Sequence, residues 1–161
     1  MIVIIMGTTG AGKTTIGTML ATQLNWQFAD ADIFHPPANI EKMSRGIPLT
    51  DADRAPWLEA MRKAILEWIA AGKNVVLACS ALKRAYRGEL RPSPKVKIVY
   101  LKGDYALFAE RIRHRHGHFA GEQILAGQFA DLEEPDDAIT VDAAKSPDEI
   151  VAEIRRRLAP S

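Results

Sequence analysis

The stretch "IVIIM" (Ile2 to Met6) is apolar at every position and mostly β-branched. Such a run suits a strand buried on both faces of a parallel sheet, where neither side meets water. "NVVLAC" (Asn74 to Cys79) and "VKIVYL" (Val96 to Leu101) repeat the pattern, and Trp26 to Ala29 and "AITVD" (Ala138 to Asp142) complete the strand candidates. Between them the apolar positions change to helical spacing. Ile16, Leu20 and Leu24 mark a helix over Thr14 to Leu24. Trp57, Met61, Ile65 and Trp68 form a core or dimer-surface stripe on a long helix, Asp53 to Ala71, with Gly72 as its left-handed cap. Further helices are predicted over Asn39 to Ser44, Leu82 to Leu90 (stopped by Pro92 and Pro94), Tyr105 to His114 and Pro147 to Leu158. Gly117 to Leu132 is a polar, glycine-punctuated insertion with a short helix inside. Strands alternating with helices predict an α/β fold: a five-stranded parallel sheet with helices on both faces, its topology limited by right-handed crossovers.

Composition narrows this picture. The 161 residues suit one domain spanning the whole chain, and 47% hydrophobic with 25% charged residues is ordinary for a soluble protein. With 21 basic and 20 acidic side chains the net charge is +1, which gives no broad positive field for nucleic acid or an anionic membrane, so neither partner is expected. The apolar opening is too short for a signal-peptide core or a bilayer span. Cys79 is the lone cysteine, so no internal disulfide can form, and a cytoplasmic location is expected. Its thiol is expected to be a small buried strand residue rather than a nucleophile.

The candidate chemistry starts at "GTTGAGKT" (Gly7 to Thr14), which fits G-x-x-x-x-G-K-[ST] and lies between a predicted strand and a predicted helix. Gly7, Gly10 and Gly12 allow backbone angles that turn successive N–H groups into one concavity, and the helix beginning near Lys13 adds its positive N-terminal dipole. Gly7, Thr8, Thr9, Gly10, Ala11, Gly12, Lys13, Thr14 and Thr15 are therefore expected to hold a nucleotide. Lys13 would meet the β and γ phosphates, and the Thr14 hydroxyl would ligate Mg²⁺. The loop is shared by switches, motors and kinases. A GTPase switch is disfavoured because no Asp-x-x-Gly occurs and "LKGD" has leucine where the guanine motif needs asparagine. A motor-type ATPase would carry an acid at the end of a buried strand, where this chain has Cys79 and Ser80. The carboxylates lie instead in "FADADIFHP". On an extended segment Asp30 and Asp32 would project to one side, facing the loop across the carboxyl edge of the sheet. Asp30 is expected to orient hydrated Mg²⁺, and Asp32 to take the proton of an attacking hydroxyl.

"GTTGAGKT", "DADIFHPPANIEKMSRGIPLTDADRAPWL", "CSALKRAYRGELR", "YLKGD" and "HGHF…QILAGQFADLEEP" occur in this order over most of the chain. Together they resemble the gluconokinase family, close kin of shikimate kinase and more distant kin of the nucleoside monophosphate kinases. Ala31 departs from the pattern, since the family tends to carry glycine there. The resemblance implies a three-layer P-loop kinase fold with a substrate-binding segment at about 30–60 and a small lid at about 114–134. It implies transfer of the ATP γ-phosphoryl group to the 6-hydroxyl of D-gluconate, and a homodimer. Arg54 is the candidate for the substrate carboxylate, because a guanidinium presents paired donors. His35 and Lys42 are candidates for hydroxyls or the carboxylate. Lys83, Tyr86, Arg87 and Arg91 recur at helical spacing and form either part of the acceptor site or a charged outer face; Lys83 and Arg87 are assigned to the site and Arg91 to the surface. By resemblance, Arg111 lies near adenine and Arg115 reaches the transferring phosphoryl group when the lid closes, while Arg113 is expected to be solvated. His114, His116 and His118 alternate in a way that invites a metal reading, set aside because a structural zinc site needs a fourth ligand. Two rivals remain: a kinase of the same clan with another acceptor, such as shikimate or a nucleoside monophosphate, and a non-enzymatic ATP-binding module.

Overall fold

The computed structural model describes residues 1–116 and 119–159, without the side chains of residues 115–116 and 119–120. Its elements follow the order β1 (Ile2–Met6), α1 (Lys13–Leu24), β2 (Gln27–Asp30), a 3-10 turn (Ala31–Phe34), α2 (Pro37–Ser44), α3 (Asp51–Ala70), β3 (Val75–Ala78), α4 (Arg84–Leu90), β4 (Val96–Lys102), α5 (Tyr105–His116), α6 (Phe119–Asp131), β5 (Ile139–Asp142) and α7 (Pro147–Leu158). The strands form one parallel sheet in the order β2-β3-β1-β4-β5. This is the α/β architecture that the alternation of apolar runs and helical stripes predicts.

Side-chain alternation along β1 builds both cores. Ile2, Ile4 and Met6 join Leu77 and Tyr100 on one face, under Trp57, Met61 and Ile65 of α3 and Tyr86 and Leu90 of α4. Val3 and Ile5 join Val76 and Val99 on the other, under Ile16 and Leu20 of α1, Phe108 and Ile112 of α5 and Ile150 and Ile154 of α7. All five β1 residues are 0% exposed, which is why the strand has no polar face. The stripe of α3 thus belongs to the core, with Trp68 partly buried at its edge.

Most boundaries shift from the expectation by one or two residues, and two elements show why. α3 starts at Asp51 because Thr50 and Asp53 form a reciprocal capping box that satisfies the first free backbone amides. The insertion after α5 holds a helix of 13 residues, α6, which is apolar where it matters: Leu125 is fully buried and Phe129 packs on Tyr105 and Phe108. Among the described residues, no helix is long and apolar enough to cross a membrane.

Candidate active site

In a parallel sheet every strand ends at the same edge, so strand order decides which loops meet. β3 lies between β1 and β2, and its Ala78 is in register with both Ile5 and Asp30. The end of β2 is therefore two strand spacings, about 10 Å, from the start of the phosphate loop. Cys79 marks the middle of this edge. Burial pushes its thiol up to about 12, and it senses the charges of Lys13, Asp32 and Asp30. A thiol held protonated in this way is no nucleophile, in line with the expectation of a small buried residue, which lies one position past β3.

Gly10 and Gly12 take φ values of 83° and 91°. At Gly10 the reason is steric as well as conformational, because a Cβ would sit 3.0 Å from the Phe108 carbonyl oxygen of α5. The loop is thereby pressed against α5, and α1 opens at Lys13 with its amides facing the concavity. Lys13 is half-buried and its Nζ donates to the Thr8 carbonyl at 3.0 Å, so the ammonium lies over the loop. Thr8 is buried, whereas Thr14 and Thr15 are exposed at the helix start.

The acid pair is arranged differently from the extended segment inferred from the sequence. β2 stops at Asp30, whose Oδ1 accepts the Asp32 backbone N–H at 2.9 Å and caps the 3-10 turn. An aspartate that caps a turn satisfies a free amide locally, and this wins over continuing the strand. The turn carries Asp32 to the cleft. Withdrawal from water raises its pKa above 3.8, and the Asp30 charge adds to this, while His35 and Lys13 oppose it. Asp32 is nonetheless exposed as a residue. Ala31 points inward, buried at 2%, and its carbonyl accepts the Trp57 indole N–H at 2.8 Å.

The residues expected to receive the substrate make defined contacts with one another and with α3 and α4. The His35 ring stacks on Trp57 at 4.5 Å and lies 3.2 Å from the Asn39 amide. Burial lowers the His35 pKa and the Arg54 charge adds to that, while the Asp32 carboxylate opposes both, a balance that favours the neutral ring. Arg54 donates to the Tyr86 hydroxyl at 3.1 Å, and Tyr86 donates to Asp51. Lys83 reaches the same Asp51 at 3.2 Å. Arg54, Tyr86, Asp51 and Lys83 thus form one chain of polar contacts between α3 and the β3–α4 turn. Lys42 is engaged elsewhere, with both oxygens of Asp53 at 2.8 and 3.0 Å; that bond and the Thr50 amide hold Asp53 down at about 2.

Arg87 stands apart from the cluster in which the sequence reading placed it. Its guanidinium is buried and donates to the carbonyls of Ala81 and Leu82 at 2.7 and 3.0 Å and of Glu133 at 2.7 Å. The reason is local: Ala81 has a φ of 47°, a left-handed conformation that a non-glycine residue adopts only when it is held. Arg87 clasps that turn, which precedes Lys83. Arg91 pairs with Asp137 at 2.9 Å.

On the other side of the loop, Arg111 donates to the carbonyls of Gly10 at 3.3 Å and Ala143 at 2.6 Å, which positions it between the loop and the turn after β5. The Arg115 side chain, assigned to the phosphoryl group, lies outside the described residues, as do the side chain of His116 and the whole of His118. His114 is exposed and 3.8 Å from Glu110. Arg113, expected to be solvated, pairs with Glu122 of α6. The sequence reading missed Asp51, Asn39 and Gln128. The Thr50–Asp53 box was the available signal for the first, since it opens α3 two residues earlier. Gln128 of α6 accepts the Thr9 N–H at 2.6 Å, a contact across 119 residues for which no local signal exists.

A phosphate cradle that shares one sheet edge with an acid pair two strands away, with a helix folded over its rim, is the arrangement of P-loop kinases that act on small molecules. The comparisons narrow the class. The Shikimate kinase family model matches residues 9–159. The gluconokinase of Gluconobacter oxydans is 46% identical over 95% of this chain and 88% of its own length. The thermoresistant gluconokinase of Escherichia coli K12 is 40% identical over 94% of this chain and 89% of its own. A crystal structure of a gluconokinase from Sinorhizobium meliloti 1021 superposes with a TM-score of 0.84 at 42% identity, covering 94% of this chain and 87% of that one. The chain belongs to the gluconokinases within the shikimate kinase family.

Proposed function

We propose that the protein transfers the γ-phosphoryl group of ATP to the 6-hydroxyl of D-gluconate, forming 6-phospho-D-gluconate and ADP. The observation that carries this reading is the 46% identity to a gluconokinase over 95% of the chain, with the phosphate loop and the Asp30–Asp32 turn at one edge of the sheet. Asp32 accepts the proton of the attacking hydroxyl, and its raised pKa brings it closer to that of a working base. Neutral His35 orients the same or an adjacent hydroxyl. Arg54 and Lys83, tied through Tyr86 and Asp51, offer donors to the gluconate carboxylate. Lys42 supports that segment from its pair with Asp53. The Gly7–Thr15 loop holds the phosphates, with Lys13 steadying the charge that develops on transfer, and Arg111 flanks the adenine side.

Mg²⁺ fits the donors available: the Thr14 hydroxyl is exposed at the start of α1, and one Asp30 oxygen has no partner among the described residues. Hard oxygen ligands of this kind suit that ion. When bound, it neutralises phosphate charge; Thr14 and Asp30 are the residues that would hold it. The fold acts as one kinase domain over 1–161, with the segment at about 30–60 receiving the acceptor and the segment at about 114–134, including Arg115, closing over the phosphates to exclude water. A homodimer in the cytoplasm completes the reading.

The test is ADP release with a panel of acceptors. Gluconate is expected to support turnover, while shikimate and nucleoside monophosphates leave ADP release at its acceptor-free level. Equal rates with and without every acceptor would reject a kinase role for the protein.

A further inference from the structure

The geometry points to Gln128 as a positioning residue for phosphoryl transfer: brought in by α6, its side-chain amide fixes the Thr9 peptide of the phosphate loop and so sets the place of the terminal phosphoryl group. This rests on the kinase reading above and adds a residue to it.

Thr9 is the third residue of the loop, within the run of amides that forms the cradle. A backbone N–H can only donate, so the Gln128 group 2.6 Å away must be its carbonyl oxygen, and the amide assignment is settled by its partner. The Gln128 nitrogen is then at the rim of the same loop, and among the described residues it donates to none. Its N–H groups remain available to a phosphate oxygen. The oxygen anchors the loop while the nitrogen extends the cradle.

The contact is built rather than incidental, because α6 is fastened on both sides of it. Leu125 is 0% exposed in the core beneath, and Phe129 packs against Tyr105 and Phe108 of α5. Phe108 is the residue whose carbonyl presses on Gly10 of the loop. One helix thus reaches the loop twice, directly through Gln128 and through the Phe129–Phe108 contact. Elsewhere in the loop the Gly7 N–H donates to the Ser80 carbonyl and the Ala11 N–H to the Thr8 carbonyl, whereas the Thr9 N–H takes its partner from α6.

The test compares Gln128→Met, Gln128→Glu and Gln128→Ala with the parent enzyme. Each is assayed for kcat, for KM of ATP and of gluconate, for ADP affinity by calorimetry, and for thermal melting. Methionine keeps the length and most of the packing but cannot accept the Thr9 N–H. It is expected to lower kcat roughly 10- to 100-fold, the scale of an ångström-sized misplacement, with KM for gluconate within about twofold. ADP affinity and melting should stay near parental values, since amides further along the loop hold the ADP phosphates. Glutamate restores the acceptor but adds charge, so it should raise KM for ATP as well. A purely packing role predicts a near-normal Gln128→Met and a damaged Gln128→Ala, which would overturn the proposal. So would kcat within twofold of the parent in Gln128→Met. If the parent itself gave no acceptor-dependent ADP, the kinase reading would fail instead, and the parental control separates the two failures.

Discussion

The Asp32 carboxyl is open to water yet titrates high, because the cleft walls withdraw solvent from it and Asp30 stands beside it. The direction has two consequences of opposite sign. Transfer needs the ionised base, so kcat/KM for gluconate should fall as pH drops through the raised pKa, with the acid limb above 3.8. Stability responds the other way. A carboxyl whose folded-state pKa lies above the unfolded value penalises folding when ionised, and the penalty is relieved as pH falls through the raised value. Asp32→Asn should therefore lose roughly 10²- to 10⁴-fold in turnover while melting at or above the parental temperature. A pH-rate profile with a melting scan checks both, and turnover within tenfold of parent would remove Asp32 from the reaction. The aspartate pair was legible in the sequence; its geometry was not, since the Asp30 cap competes with the strand and wins locally.

At the level of elements, α5 and α6 form the layer over the phosphate loop. Their close approach depends on Gly121, where a Cβ would stand 2.4 Å from Ile112 Cγ2. Ile112 is itself buried in the core, so it cannot swing aside freely. Gly121→Val is expected to push α6 outward, break the Gln128–Thr9 contact and lower transfer roughly tenfold or more. Hydrogen exchange over 119–131 should rise while the strands keep their protection, and unchanged exchange would show that the helices tolerate the side chain. Most elements were legible here because periodicity reports burial directly. α6 was read as a short helix in a polar insertion, since its apolar contacts, Leu125 and Phe129, are too few to stand out from the glycines around them.

Across the whole molecule, the order β2-β3-β1-β4-β5 brings residues from both halves of the chain to one edge. A nucleotide held there binds only the folded state, so saturating ADP at about 100 times its Kd should add ~2.7 kcal/mol of stability. For a chain of this size that is a rise of roughly 5–10 °C in Tm, measurable by scanning calorimetry. Lys13→Ala should blunt the rise and cost roughly 10²- to 10³-fold in kcat; a full Tm shift with normal turnover would show that Lys13 carries no phosphate charge. What the sequence alone determined was the layered α/β class, the cradle with Lys13 and the candidate base, because apolar period and loop spacing are local properties. The tertiary structure alone decided that Arg87 clasps the left-handed turn at Ala81 and reaches Glu133, and that Gln128 meets Thr9. Those partners lie 46 and 119 residues away, and a polar side chain bonds whatever packing brings within reach, whatever its place in the chain.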